Sequence, residues 1–522
     1  MSATSDRHIW GPPDHNLELF ARNISTRYVA IFIDGAIGVV LLPFNIAHLG
    51  PSAYGLWALT LSVTWFFGVL DLGYGGALVK FIARYRALRD RAALNEIVST
   101  IALLFSGLGV VTFLVTAAIA WRFQTFFNVD AEQVRTGQRV LLIVGVYLSV
   151  QFAFSVFGAV VYGFQRYYRN NVVSIGTSLV VALVNVLVLS SGHGLVTLVA
   201  STTAVRLLSL LAFAWNARRI FPGLQVRSSL FRVARLREVT GFSIYMAVLD
   251  WSAKLNYSSD AIVIGAMLDT TAVAVWTVGQ RLAQLAQRLT NQVNDALFPL
   301  VVDSDAVERP ERLQTILLQS TKLSLAIAAP MCVGLIVLAG PLVQRWVGAR
   351  FTGSVLPLQI MIAIVLVRSG TASANLILKG AGRHQLLTYA NATTAIVNVS
   401  LSVALVRPLG LVGVALGTLI PVAGSAVFVL YPAACRRVNV SIWRPLLHAF
   451  WPALWPAVIM IGVLWPGRQA SNLFEVAVWL AGGGLVYLGL FLGVALNREE
   501  RQFYWSKIRH LVGRQRRVPV PA

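Results

Sequence analysis

Runs of about twenty apolar residues, divided by short basic or Gly/Pro-containing gaps, follow one another from Tyr28 to Leu496, and this succession limits the chain more than any other feature. A run of that length matches the hydrocarbon thickness of a bilayer. Inside hydrocarbon every backbone N–H and C=O must find its partner within the protein, so such runs are expected to be helices. Apolar runs read against their gaps fall at 27–48, 52–79, 97–120, 138–162, 172–190 and 195–216. A second set falls at 238–266, 271–301, 314–340, 354–379, 384–406 and 410–434, and a last pair at 445–465 and 473–496. The expected fold is an all-α polytopic membrane protein with fourteen transmembrane helices. Only 12% of residues are charged, against about 25% in soluble domains.

The first twelve runs are two copies of one design. Asp34 and Asp250 interrupt equivalent apolar runs 216 positions apart, and Gly194-Leu195-Val196 is echoed by Gly410-Leu411-Val412 at the same spacing. Leu49-Gly50-Pro51-Ser52-Ala53 with Trp57 matches Leu268-Asp269-Thr270-Thr271-Ala272 with Trp276, shifted by three more residues. Duplicated hydrophobic halves are a common way to build a transporter around a substrate site. The expected organisation is a six-helix bundle at 1–216, a basic linker at 217–237, a second six-helix bundle at 238–434, two extra helices within 435–497 and a basic tail at 498–522.

A net charge of +22 would suit nucleic acid only if the basic residues formed one contiguous face. Instead they sit in alternate gaps. Lys80, Arg84, Arg86, Arg89, Arg91, Arg166, Arg169, Arg218, Arg219, Arg436, Arg437 and the tail lie on one side, whereas the other side holds only Arg122, Arg135, Arg139, Arg345, Arg350, Arg407 and Arg468. By the positive-inside rule both termini are cytoplasmic, anionic phospholipids are the expected partners of the basic gaps, and nucleic acid is excluded. The linker reads as an amphipathic helix lying on the inner leaflet. No cleavable signal pattern precedes the first run. Cys332 and Cys435 lie in separate apolar runs without the spacing of a disulfide framework or a zinc site.

Arg206, Lys254, Arg281, Arg288, Lys322 and Arg368 remain inside the runs. Each costs about 2.5–3.5 kcal/mol at a helix centre on insertion scales, so each needs a cavity, a partner or an interface. Arg281, Gln284, Arg288, Asn291 and Asp295 recur at helical spacing and form one polar stripe. Such a stripe cannot face lipid, and its excess of basic and amide groups favours a cation-lined aqueous cavity over an ion network. Asp250, Lys254 and Tyr257 share a face, where the acid and base can also simply neutralise each other. Arg368, Asn375 and Lys379 line another run, and Arg206 is the lone charge of its run. Lys322 lies near the inner end of its helix and reads as a structural residue that snorkels. Asp71, in Asp71-Leu72-Gly73-Tyr74-Gly75-Gly76, reads as the capping acid of a helix kink. Gly413-Val414-Ala415-Leu416-Gly417 is a close-packing pattern. No nucleotide-, metal- or hydrolase-type motif is present, no cofactor is called for, and the chain is not expected to be an enzyme.

Asn23-Ile24-Ser25, then Leu49-Gly50-Pro51-Ser52-Ala53-Tyr54-Gly55-Leu56-Trp57, then Asp71-Leu72-Gly73-Tyr74-Gly75 resemble bacterial polysaccharide and O-antigen repeat-unit flippases of the multidrug/oligosaccharidyl-lipid/polysaccharide (MOP) exporter superfamily. The likeness is most specific over the first ninety or so residues. It implies two bundles arranged as a V around a cavity that opens alternately to either side of the bacterial cytoplasmic membrane. It also implies a lipopolysaccharide-type role: moving an undecaprenyl-pyrophosphate-linked oligosaccharide to the outer leaflet, alongside polysaccharide assembly proteins. The residues agree on one point of chemistry, since Arg is suited to bidentate phosphate contacts. Arg281, Arg288, Arg368, Lys254 and Arg206 are the candidate pyrophosphate ligands, with Gln284, Asn291 and Asn375 as polar lining. Asp34 and Asp250 are the candidates for H⁺ or Na⁺ coupling. They keep open a drug antiporter of the MATE type. A lipid-linked peptidoglycan precursor is the other substrate alternative, and a membrane-embedded polysaccharide polymerase or ligase the enzymatic one.

Overall fold

The computed structural model describes residues 16–241, 243, 247, 251, 259–306, 310–380, 384–496 and 500–501. Among them every regular element is a helix. The first are α1 (Asn16–Leu49), α2 (Pro51–Phe66), α3 (Tyr74–Ala87), α4 (Arg91–Trp121), α5 (Ala131–Gly163), α6 (Tyr167–Ser190) and α7 (Leu195–Ile220). Then come α8 (Asp260–Met267), α9 (Thr270–Ala306), α10 (Pro310–Val337), α11 (Ala339–Val347) and α12 (Val355–Gly380). The last are α13 (His384–Gly424), α14 (Tyr431–Arg437), α15 (Trp451–Leu464) and α16 (Leu473–Leu490). Ten described segments are long and apolar enough to cross a membrane. α9 is not among them, because its polar stripe lowers its hydropathy.

One expected span is interrupted, and one expected boundary is a glycine break within a longer helix, each where the sequence supplies the means. The run 52–79 divides into α2 and α3 through a short 3₁₀ turn, Phe67–Asp71, followed by Leu72 and Gly73 at φ 50° and 76°. The Asp71 carboxylate accepts the Gly75 N–H at 3.0 Å, capping the new helix as its place before a glycine-rich turn predicts. α13 runs through two expected spans but breaks at Gly410, whose φ of 57° and ψ of −137° only glycine adopts easily. The returning half packs on the first through small residues. A Cβ on Gly413 would stand 2.1 Å from the Leu405 carbonyl oxygen, and one on Gly417 would stand 2.5 Å from the Ser402 hydroxyl. Close backbone approach of this kind is what holds helices together in lipid, where hydrophobic burial offers little.

Among the described residues, one compact unit comprises those up to Arg281 with Asn391–Gly417. A second comprises Leu282–Ala390 with those from Thr418 onward. In the first, α4 lies along α5, α5 along α7 and α1 along α6. Leu94, Ile97, Ile101 and Phe105 interlock there with Val156 and Val160. The loop pair that repeats in sequence also meets in space: Ser52 and Thr270 share a hydroxyl hydrogen bond of 2.8 Å at the starts of α2 and α9. In the second unit, α10 packs on α12 and α15, and α15 on α16. Tyr487 donates to the Ala453 carbonyl at 2.7 Å, satisfying a buried hydroxyl and joining the last two spanning helices.

The linker departs from expectation. It is not a surface helix in its first half but an extended strap along the end of α4. Asn95 donates to the Gly223 carbonyl and accepts the Gln225 N–H, both at 3.0 Å. Ser99 donates to the Gln225 carbonyl at 3.1 Å, and Thr100 accepts the Arg232 N–H at 3.0 Å. Side chains on α4 thus stand in for the strand that an extended backbone needs. Arg235 completes the fastening with ion pairs to Glu96 at 3.1 Å and Glu238 at 3.2 Å. Tyr85 donates to Glu238 from 2.7 Å and accepts from Arg235 at 2.8 Å. Burial, then the Glu238 hydrogen bond, push the Tyr85 phenol up to about 12.

Candidate functional site

The polar stripe on α9 arises because arginine, glutamine and asparagine recur every three or four residues on an otherwise apolar helix. At its head, the half-buried Arg281 reaches α1 and donates from Nη2 to the backbone carbonyl of Asp34 at 3.3 Å. That carbonyl lies one helical turn before Gly38, and in a helix the side chain at such a position covers it. Gly38 has none: a Cβ built there would fall 1.3 Å from Arg281 Nη2. The glycine is therefore the notch through which the guanidinium docks. Tyr54 on α2, buried, lies within reach of the same charge.

The Asp34 carboxylate is exposed and, among the described residues, makes no ion pair. Arg281 and Asp34 are thus brought together, through the acid's backbone. Further along α9, Gln284, Arg288 and Asn291 are exposed, and Gln287 donates to the Asn291 amide oxygen at 2.8 Å. α9 is not one of the ten segments apolar enough to cross a membrane, and these polar groups are what set it apart. Arg368 and Asn375 are half-buried on α12 of the second unit. Arg206 is exposed on α7 and interacts with Tyr147 of α5. Asp250, Lys254 and Tyr257 lie outside the described residues, as does about half of the run 238–266.

Lys322 is paired rather than snorkelling. Its ammonium lies 2.6 and 2.9 Å from the two carboxylate oxygens of Glu500, with only 9% of the lysine side chain exposed. Sequence reasoning missed several groups. Gly38 was detectable only as the residue four after Asp34. Buried Asp260 opens α8. A hydroxyl cluster of Thr321, Ser373 and Tyr431 joins α10, α12 and α14 of the second unit; single hydroxyls scattered over three apolar runs leave no periodic signal.

Comparison with known proteins agrees with this architecture. Residues 48–356 match the family described as polysaccharide biosynthesis protein. The chain is similar to the probable flippase AglR of Haloferax volcanii, at 19% identity over 490 residues covering 92% of this chain and 97% of the relative. Its fold is similar to lipid II flippase MurJ in an inward closed conformation, with TM-score 0.71 and 15% identity over 92% of this chain and 99% of that one. It is also similar to an inward-facing multidrug resistance MATE family transporter of the MOP superfamily, with TM-score 0.65 and 17% identity over 77% of this chain and 94% of that one.

Proposed function

The chain belongs to the polysaccharide biosynthesis protein family, and from that membership we propose that it is a MOP-superfamily flippase for a polyprenyl-pyrophosphate-linked oligosaccharide. The fourteen helices act as two six-helix repeats with a C-terminal pair appended, both termini in the cytoplasm of a bacterial cell. The cavity exchanges between the two faces of the membrane. The observation that carries this reading is the α9 stripe: Arg281 fixed against α1 at Gly38, with Gln284, Arg288 and Asn291 exposed along the same helix. Three arginines, Arg281, Arg288 and Arg368, with Arg206 and Lys254, supply the donors that a pyrophosphate needs. Gln284, Asn291 and Asn375 hydrate or bond the adjoining sugars.

Asp34 and Asp250 couple the cycle to H⁺ or Na⁺. When pyrophosphate engages Arg281, the guanidinium leaves the Asp34 carbonyl, which links substrate binding to the α1 segment that carries the acid. The alternatives, a peptidoglycan precursor or a cationic drug, separate in one experiment. Deleting the gene should cause lipid-linked surface-polysaccharide intermediates to accumulate on the cytoplasmic side while cell-wall synthesis continues. Arrested cell-wall synthesis, or drug sensitivity with normal polysaccharide, would reject the assignment.

A further inference from the structure

At the opposite end of α6 from the outer loop, on the side that the basic gaps assign to the cytoplasm, four arginines gather. Arg22 lies over the Tyr168 ring, its guanidinium carbon 4.1 Å from the centroid. Arg169 donates from Nε to the Tyr168 hydroxyl at 3.2 Å. Arg86 stands over Phe164 at 5.8 Å, and the charge of Arg166 acts on both Arg86 and Tyr168. Among the described residues none of the four makes an ion pair with a carboxylate. Nearby Arg235 holds two.

The scaffold under these cations is built by side chain to backbone bonds. Asn23 donates to the Gln165 carbonyl at 2.8 Å and accepts the Tyr168 N–H at 2.9 Å. Asn171 donates to Thr26 at 3.0 Å, and Asn216 to the Arg169 carbonyl at 3.3 Å. Gln165 turns the chain at φ 59°. The N-terminus of α6 opens into the cluster and adds its own partial positive charge. Arg86, Arg166 and Arg169 are half-buried and Arg22 is exposed, and such a concentration of cations is stabilised by a bound anion. Burial, then Arg166, already hold the Arg86 guanidinium below its ordinary value.

We propose that Arg22, Arg86, Arg166 and Arg169 form a binding site for the phosphate headgroup of an anionic inner-leaflet phospholipid. The remainder of α6 decides for a lipid over a soluble phosphate. Val172, Leu179, Leu183 and Leu187 are each more than half exposed and follow one face of the helix directly beyond the arginines. An acyl chain lies along that face when its phosphate sits among the guanidiniums. Exposed Tyr167, and Trp215 beneath Arg219 at 5.1 Å, mark the headgroup level. The inference is independent of the transported substrate and goes beyond the flippase reading.

The test uses the full chain purified in a neutral detergent and titrated with phosphatidylglycerol or phosphatidylcholine, with bound lipid counted by native mass spectrometry. Wild type should retain phosphatidylglycerol preferentially. Arg166→Gln/Arg169→Gln should weaken that retention about tenfold or more and leave phosphatidylcholine unchanged. Arg436→Gln/Arg444→Gln, at another basic end, should have little effect. Equal loss in the control pair, no loss in the site variant, or displacement by millimolar inorganic phosphate or by a polyprenyl pyrophosphate ahead of phosphatidylglycerol would each overturn the proposal. Circular dichroism and gel filtration exclude misfolding, and Arg22→Gln/Arg86→Gln repeats the test with the arginines that α1 and α3 contribute.

Discussion

Replacing Lys322 by methionine isolates one structural charge from the cations proposed to bind substrate. The Lys322–Glu500 contact of 2.6 Å joins α10 to the segment after α16, with the lysine 9% and the glutamate 22% exposed. Removing one partner of a buried pair costs about 3–5 kcal/mol, because the survivor stays buried and uncompensated. Glu500 retains access to solvent and a further interaction of its own, so Lys322→Met should fall at or below the lower end, about 3 kcal/mol or less. Glu500→Gln strands the more deeply buried lysine and should cost at least as much. The double variant removes both charges and should return to within about 1 kcal/mol of wild type, since apolar or neutral replacement of a whole pair is often close to neutral. Unfolding of the four proteins in detergent, followed by denaturant titration and by thermal melts, gives the cycle directly. At permissive temperature all four should transport normally. Single variants as stable as wild type would show that the pair contributes nothing, and a double variant no better than the singles would refute the coupling.

Three further outcomes follow from the geometry. Gly38→Ala should drive the Arg281 guanidinium off the Asp34 carbonyl, cost about 1–3 kcal/mol for the charged hydrogen bond, and impair transport much as Arg281→Ala does; a fully active, equally stable Gly38→Ala protein would contradict the docking. Cysteines placed at Pro51 and Arg468 should label from outside intact cells, whereas one at Arg89 should not, and labelling there would reject the topology. Tyr85→Phe should lower stability by about 1 kcal/mol. Folding raises the Tyr85 pKa to about 12, so its contribution is complete below the unfolded value of about 10 and is lost only as pH rises through the folded one. The melting difference should therefore be flat between about pH 7 and pH 9, and a difference that vanishes within that range would refute the assignment.

The elements legible in the sequence are those written as local pattern. Asp71 ahead of a glycine run announced the break between α2 and α3, and Gly410 between two apolar runs marked the break in α13. Gly413 and Gly417 foretold the close packing against Leu405 and Ser402. The linker was misread because its partners, Asn95, Ser99 and Thr100, lie more than a hundred residues earlier, and composition alone made six arginines look like a membrane-surface helix. The Lys322 partner was hidden for the same reason, in the tail. At the candidate site the helical spacing of Arg281, Gln284, Arg288 and Asn291 identified the stripe. It gave no hint that Arg281 would meet a backbone carbonyl at Gly38, because an empty side-chain position has no hydropathy.

The central claim, that the α9 arginines hold the pyrophosphate during translocation, is tested by reconstitution into liposomes with a fluorescent polyprenyl-pyrophosphate oligosaccharide whose outer-leaflet exposure is read by quenching. Wild type should transfer the lipid across the bilayer, and Arg281→Ala/Arg288→Ala should insert and fold normally yet abolish transfer. Transfer at the wild-type rate by that double variant would contradict the account.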